Sequence, residues 1–140
     1  MNGTKRLAAI LCLLSGAVVL LNTLNVLRQR VASVNCSPVM HDIGAVKHGT
    51  IVTREFKIRN DTSATVRLLN VLSQCGCTKV RVAEPSLRPG GTTTATLVWN
   101  TNGFTDRQGV SAEILFGDES VKNTWVCRIA VEGNVQQSAN

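Results

Sequence analysis

Cys75, Gly76 and Cys77 are the one stretch of this chain in which residue type and spacing together point to chemistry. In a regular strand, residues two apart hold their Cα atoms about 7 Å from one another, beyond comfortable disulfide reach. Gly76 allows a tight turn or bulge that brings the two sulfurs together. A bridge closed over a single residue would be strained and easily reduced, which would make the pair a redox site. The same turn could present two thiolates to a soft ion such as Cu(I), in linear or trigonal ligation. Two ligands are too few for a structural zinc site, which wants four. Two plainer readings stand beside these. The cysteines could be small half-buried residues capping a sheet, or could enter a static bridge to Cys36.

The chain carries five cysteines and two histidines. Cys12 lies in an apolar segment and reads as a small hydrophobe facing lipid. Cys127 sits in the apolar phase of a strand, between Trp125 and Ile129, and reads as a buried free thiol in preference to a bridge. Cys36 precedes the first strand and reaches Cys127 only if the first and last strands are neighbours. A bridge there would pin the preceding spacer to the domain. Val34-Asn35 before Cys36 is no lipobox, so lipidation is not expected.

His41 and Asp42 are adjacent on a strand, so they face opposite sides and form no relay with each other. His48 falls near a turn. A metal site using both histidines with Cys75 and Cys77 would require the fold to converge them. Gly44 to Thr50 spaces its glycines like a phosphate loop, but no Lys follows the second glycine and no helix pattern comes after. There is no G-x-S-x-G elbow. The nine carboxylates are scattered, without acid–base pairing. These residues predict no catalysis and no small-molecule substrate.

Strands must position the cysteines. From Val39 onward, strand-like runs recur every 8–15 residues between turn signals. They are Val39–Val46, Ile51–Arg59, Thr65–Leu72, Lys79–Ala83, Thr93–Trp99, Val110–Phe116 and Asn123–Val131. Phe56 and Ile58 oppose Glu55, Lys57 and Arg59. Val66 and Leu68 oppose Thr65 and Arg67. Ala95, Leu97 and Trp99 share one face, as do Trp125, Cys127, Ile129 and Val131. This is period two with one wet side, the antiparallel signature. Asn60-Asp61, Pro89-Gly90-Gly91, Asn102-Gly103 and Gly117-Asp118 mark turns. About seven short strands in about 95 residues match an immunoglobulin-like antiparallel β-sandwich. The Cys…Trp…Cys framework of true immunoglobulin domains is missing, because both tryptophans come late, at Trp99 and Trp125.

The succession His41-Asp42-Ile43-Gly44, Phe56-Lys57-Ile58-Arg59-Asn60, Cys75-Gly76-Cys77-Thr78, Pro89-Gly90 and Gly133-Asn134-Val135 resembles a bacterial family, domain of unknown function 1573. Its pattern runs roughly H-D-F-G, F-x-F-x-N, S-C-G-C-T, P-G and G-x-V. Ile43 stands where that pattern has Phe, and Gln74 where it has Ser. The likeness covers about residues 39–135, and C-G-C-T is its most specific piece. The family is similar to the immunoglobulin-like domains of major sperm protein, hydin and pilus chaperones. The resemblance implies an interaction module, often exported and often anchored or lipidated, with no established enzymatic activity.

Net charge is +6, but Lys5, Arg6, Arg28 and Arg30 contribute four of the 15 basic residues. The remainder is nearly balanced, with no basic cluster interleaved with aromatics, so nucleic-acid binding is not expected. Those four charges flank residues 7–27, which carry none. A helix of that length spans about 31 Å, the thickness of a bilayer core. Leu7 to Leu21 is apolar all round, unlike the single stripe of a core helix, and Asn22, Thr23 and Asn25 suit an interfacial end. The competing reading is a cleavable signal peptide ending near Val31-Ala32-Ser33. Arg28 and Arg30 stand between the apolar run and that site, which favours a retained anchor. The expected organisation is a cytoplasmic stub over 1–6, a transmembrane anchor over 7–27, a spacer over 28–37, the sandwich over 38–135 and a flexible tail over 136–140. The domain would then lie on the periplasmic or extracellular side, binding an envelope protein through an exposed strand edge or loop surface. The first strand, around His41–Val46, is the candidate edge. The rival is a thiol-redox or copper-handling protein built on Cys75 and Cys77.

Overall fold

A computed structural model describes residues 32–137. The expected anchor, Cys12, the cytoplasmic stub and most of the spacer lie outside the described residues. The described chain forms nine strands. They are β1 (Val34–Ser37), β2 (Met40–Lys47), β3 (Ile51–Asn60), β4 (Val66–Ser73), β5 (Thr78–Val82), β6 (Ser86–Leu87), β7 (Thr92–Asn100), β8 (Asp106–Asp118) and β9 (Thr124–Gln136). One sheet runs β1-β3-β7-β5 and the other β2-β9-β8-β4-β6. That order is the arrangement of immunoglobulin-like sandwiches, with a first strand shared between the sheets.

Alternation builds the core. Phe56 and Ile58 of β3, Ala95, Leu97 and Trp99 of β7, Ile114 and Phe116 of β8, and Ile129 and Val131 of β9 all bury their side chains between the sheets. Their intervening neighbours face solvent, as period-two patterning requires. Each fully buried Leu, Ile, Val or Phe contributes about 1.5–3 kcal/mol, so these central strands carry most of the cohesion.

The pattern read from sequence needs three corrections. The strands number nine rather than about seven, because Val34–Ser37, expected to end the spacer, is β1, and Ser86–Leu87 is β6. Four residues and two residues are too few to show alternation. The strand expected over Val110–Phe116 runs from Asp106 to Asp118, since its polar start forms a long ladder with β9. The sandwich is also not wholly antiparallel: β2 pairs parallel with β9, Met40 opposite Ala130 and Lys47 opposite Gln136. A parallel pair so distant in sequence leaves no hairpin turn to read.

Pro38, which has no amide hydrogen to give a ladder, stands where the chain leaves β1 in one sheet for β2 in the other. The registers also sort the loops by end. Val34, where β1 begins, pairs with Asn60, the last residue of β3. The Cys75-Gly76-Cys77 turn, the His48 turn and the 101–105 loop gather at the opposite end, where Thr78 pairs with Trp99 and Ile51 with Asn100. The nine to ten residues of β3 or β7 separate the ends by about 30 Å.

Candidate functional site

Most of the distinctive residues are spent on holding strands together. Asn60 is fully buried with all its polar capacity used. Its Nδ2 donates to the carbonyls of Ala64 and Leu87, both at 2.9 Å, and its Oδ1 accepts from the Thr62 amide at 3.0 Å and hydroxyl at 2.7 Å. Its backbone closes onto the Pro89-Gly90-Gly91 turn through Gly90 N to Asn60 O (2.8 Å) and Asn60 N to Gly91 O (2.9 Å). The F-x-I-x-N and P-G elements are thus two halves of one joint, buried at Asn60 and exposed at the turn.

His41 to Gly44 seats the edge strand. The His41 ring meets Phe56 edge-on, with centroids 4.9 Å apart, and its Nε2 lies 3.1 Å from the Glu55 carbonyl oxygen. Asp42 accepts from the Gly44 amide at 2.9 Å and pairs with Arg107 at 3.2 Å. The Gly44 amide, and after it Arg107, hold the Asp42 carboxyl below its ordinary 3.8. Gly44 has φ +64°, where the ladder with β9 slips by a bulge. Ile43 packs on Gly133: a Cβ built there would lie 2.6 Å from Ile43 Cγ1. The H-D-I-G and G-N-V elements are therefore partners across the β2–β9 pair. His48 is occupied locally, accepting from the Gly103 amide at 3.0 Å. The structure does not converge the histidines with the cysteines. Among the described residues no group of three or more His, Cys, Asp or Glu side chains is arranged to hold a metal.

The cysteines form two bridges. Cys36 of β1 is bonded to Cys127 of β9, with Cα atoms 5.9 Å apart across 91 positions of sequence. This corrects the reading of Cys127 as a free thiol. β1 and β9 belong to different sheets, so the bridge staples the sandwich along its side. Cys75 is bonded to Cys77, with Cα atoms 5.2 Å apart, so a static Cys75–Cys36 or Cys77–Cys36 bridge is not what forms. Chain entropy separates the two bonds. Closing the long loop stabilises the fold by ~4.6 kcal/mol, and closing a three-residue loop by only ~1.6 kcal/mol. The first bridge is structural by this measure; the second adds little.

The turn that carries Cys75 and Cys77 joins β4 in one sheet to β5 in the other. It is held by its backbone: Thr78 N donates to Cys75 O at 3.2 Å, and Asn100 N to Cys77 O at 3.0 Å. Both cysteines are half-buried against the core edge, while Gly76 is exposed. Thr78, itself buried, places Oγ1 3.4 Å from Cys75 Sγ and 3.5 Å from Cys77 Sγ. Bridged sulfurs have no hydrogen to give, so the hydroxyl is the donor. Sequence reasoning singled out the two cysteines and passed over Thr78, whose only signal was its place at the end of C-G-C-T. A shallow groove of about 260 Å³ between β4 and β8 reaches the turn at Gln74.

A family of proteins of unknown function, DUF1573, matches residues 34–135, which include every one of these elements. The chain belongs to the DUF1573 family. No curated protein matches it. Among solved structures, this DUF1573 chain is similar to the VesB protease of Vibrio cholerae, with TM-score 0.63 and 8% identity, over 79% of this chain and 34% of that one. It thus spans about a third of that protease's length. A PapD-like domain of human CEP192 gives TM-score 0.60 and 9% identity, over 77% of this chain and 88% of that one. A protein of unknown function from Porphyromonas gingivalis W83 gives 0.57 and 17%, over 77% and 50%. At these identities the likeness shows the immunoglobulin-like fold alone.

Proposed function

We propose that this chain is a membrane-anchored, exported binding module of the cell envelope, without catalysis, that takes a protein partner along the free edge of β2. The observation that carries the reading is the position of β2. It is one of the two outer strands of the five-stranded sheet, the other being the two-residue β6, pairs with β9 on one side only, and begins at Met40 after Val39, which are 47% and 64% exposed. An unpaired ladder with exposed apolar side chains is the feature that β-strand addition uses. The Cys36–Cys127 staple fits an oxidising compartment, and residues 7–27 have the length and apolarity of an anchor.

The test is site-specific photocrosslinking in cells. A photoreactive residue at Val39, Met40 or Ala45 is expected to give a discrete adduct, and one at Thr94 on the opposite sheet none. Equal labelling at all four positions, or none, would remove the edge from consideration. Membrane fractions should retain the full chain through alkaline wash and release it with detergent.

A second reading is supported by one observation, the meeting of Cys75 and Cys77 on a half-exposed turn. It is thiol chemistry, with Cu(I) binding by the reduced pair as its other form. Retention of one Cu(I) per reduced chain, lost in the Cys75→Ser, Cys77→Ser double variant, would favour copper handling.

A further inference from the structure

We propose that the Cys75–Cys77 bridge is a thiol–disulfide exchange site that oxidises dithiols, with Thr78 positioning the sulfur that leaves. It rests on the thiol reading of that turn, which it deepens, and stands without the edge-binding one. Four observations converge. The two sulfurs are joined across one residue, so opening the bond releases almost no chain. The turn keeps its shape through the Thr78–Cys75 and Asn100–Cys77 backbone hydrogen bonds, so the fold survives both redox states. Approach is open at Gly76, where an added Cβ would meet nothing within 4 Å. Finally, Thr78 Oγ1 lies within hydrogen-bond reach of both sulfurs and donates to whichever carries negative charge. The other bridge has the opposite character, since Cys127 is 1% exposed.

The exchange balances as follows. A thiolate of the incoming dithiol attacks one sulfur of the pair. The Cys75–Cys77 bond breaks as a mixed disulfide forms, and the electron pair leaves on the other cysteine as a thiolate, stabilised by the Thr78 hydroxyl. The second thiolate of the incoming dithiol then attacks its own mixed-disulfide sulfur and releases the remaining cysteine. Two electrons and two protons pass to Cys75 and Cys77, and the dithiol becomes a disulfide. The leaving group departs faster the lower its pKa, so a donor to the leaving thiolate accelerates the step.

The experiment incubates the full chain, without denaturant, in glutathione buffers of increasing reducing strength. It is then acid-quenched and alkylated, and each cysteine is read by peptide mass. The expected result is a glutathione adduct on Cys75 or Cys77, and full alkylation of both, at a reducing strength at least about tenfold below that opening Cys36–Cys127. Opening of both bridges together, or of Cys75–Cys77 only in denaturant, overturns the proposal. In the reduced protein, Thr78→Val should raise the pH midpoint of alkylation by about one unit, the worth of one hydrogen bond to an ionised group, while Thr78→Ser keeps it. An unchanged midpoint in Thr78→Val removes Thr78 from the mechanism. If Thr78→Val does not fold, Thr78→Ala, which also removes the hydroxyl, takes its place in the same alkylation titration and is expected to show the same rise.

Discussion

Asn60 shows how much one polar residue can hold when it is fully buried and fully satisfied. Four hydrogen bonds from its side chain join the end of β3, the 61–64 turn and the end of β6. Asn60→Ala would leave the Leu87 carbonyl and the Thr62 amide without this partner, while the Thr62 hydroxyl can still turn to the Ala64 carbonyl. We expect it to destabilise the domain by about 2–4 kcal/mol, read as a lower urea midpoint at unchanged slope. Asp42 and Asp118 act at the same scale through charge. Asp118 is held below its ordinary 3.8 first by the Asn123 side chain, with Ser120 and Lys122 helping. Asp42 is held down by the Gly44 amide and Arg107. A carboxyl whose folded pKa is lowered stabilises the fold above its unfolded pKa, and loses that contribution as pH falls through the folded value. The urea midpoint should therefore be flat near neutrality and decline below about pH 4, with the decline shallower in Asp42→Asn. The residues behind these effects are visible in sequence as motif letters. Their burial and partners are not, because Asn60 meets Leu87 across 27 positions and Arg107 meets Asp42 across 65.

At the scale of elements, β2 is the strand on which the binding proposal depends. Its seat on β9 relies on the absence of a side chain at Gly133, into whose space Ile43 packs. Gly133→Ala should unseat β2 and cost about 1–3 kcal/mol, with faster amide exchange over Met40–Lys47 than elsewhere. Ile43→Ala in the same chain should recover part of that loss, which a double-mutant cycle measures. Period-two alternation announces β3, β7 and β9, because these strands have one dry face and one wet face. It fails for β1 and β6, whose few residues are fixed by what they pair with. It also says nothing of the parallel β2–β9 pairing, which no local turn encodes.

For the molecule as a whole, the two disulfides divide the work. Replacing Cys36 and Cys127 together by Ala should lower stability by about 3–5 kcal/mol, because the unfolded chain regains a loop of some ninety residues. Replacing Cys75 and Cys77 by Ser should cost less than about 2 kcal/mol, so that this variant folds and isolates the chemistry of the turn. Parallel urea titrations of the two double variants check the order. The sandwich also separates its ends. The chain enters at Val34, while the Cys75-Gly76-Cys77 turn lies at the other end, about 30 Å away.

The sequence by itself determined the all-β class, the inward faces of the long strands, the principal turns and the two cysteines of the candidate site. Each of these rests on neighbours in the chain: alternation, glycine and proline conformations, and a spacing of two. Only the tertiary structure decided that Cys127 is bridged to Cys36, that β2 pairs parallel with β9, that Thr78 touches both sulfurs, and that the distinctive His41–Gly44 and Gly133–Val135 segments pack on each other. The Thr78 contact follows from the shape of its own turn, one and three residues from the sulfurs; the others join segments tens of residues apart. They form because burying two apolar sheet faces against each other brings particular edges and ends into register, and no local pattern records which ones will meet.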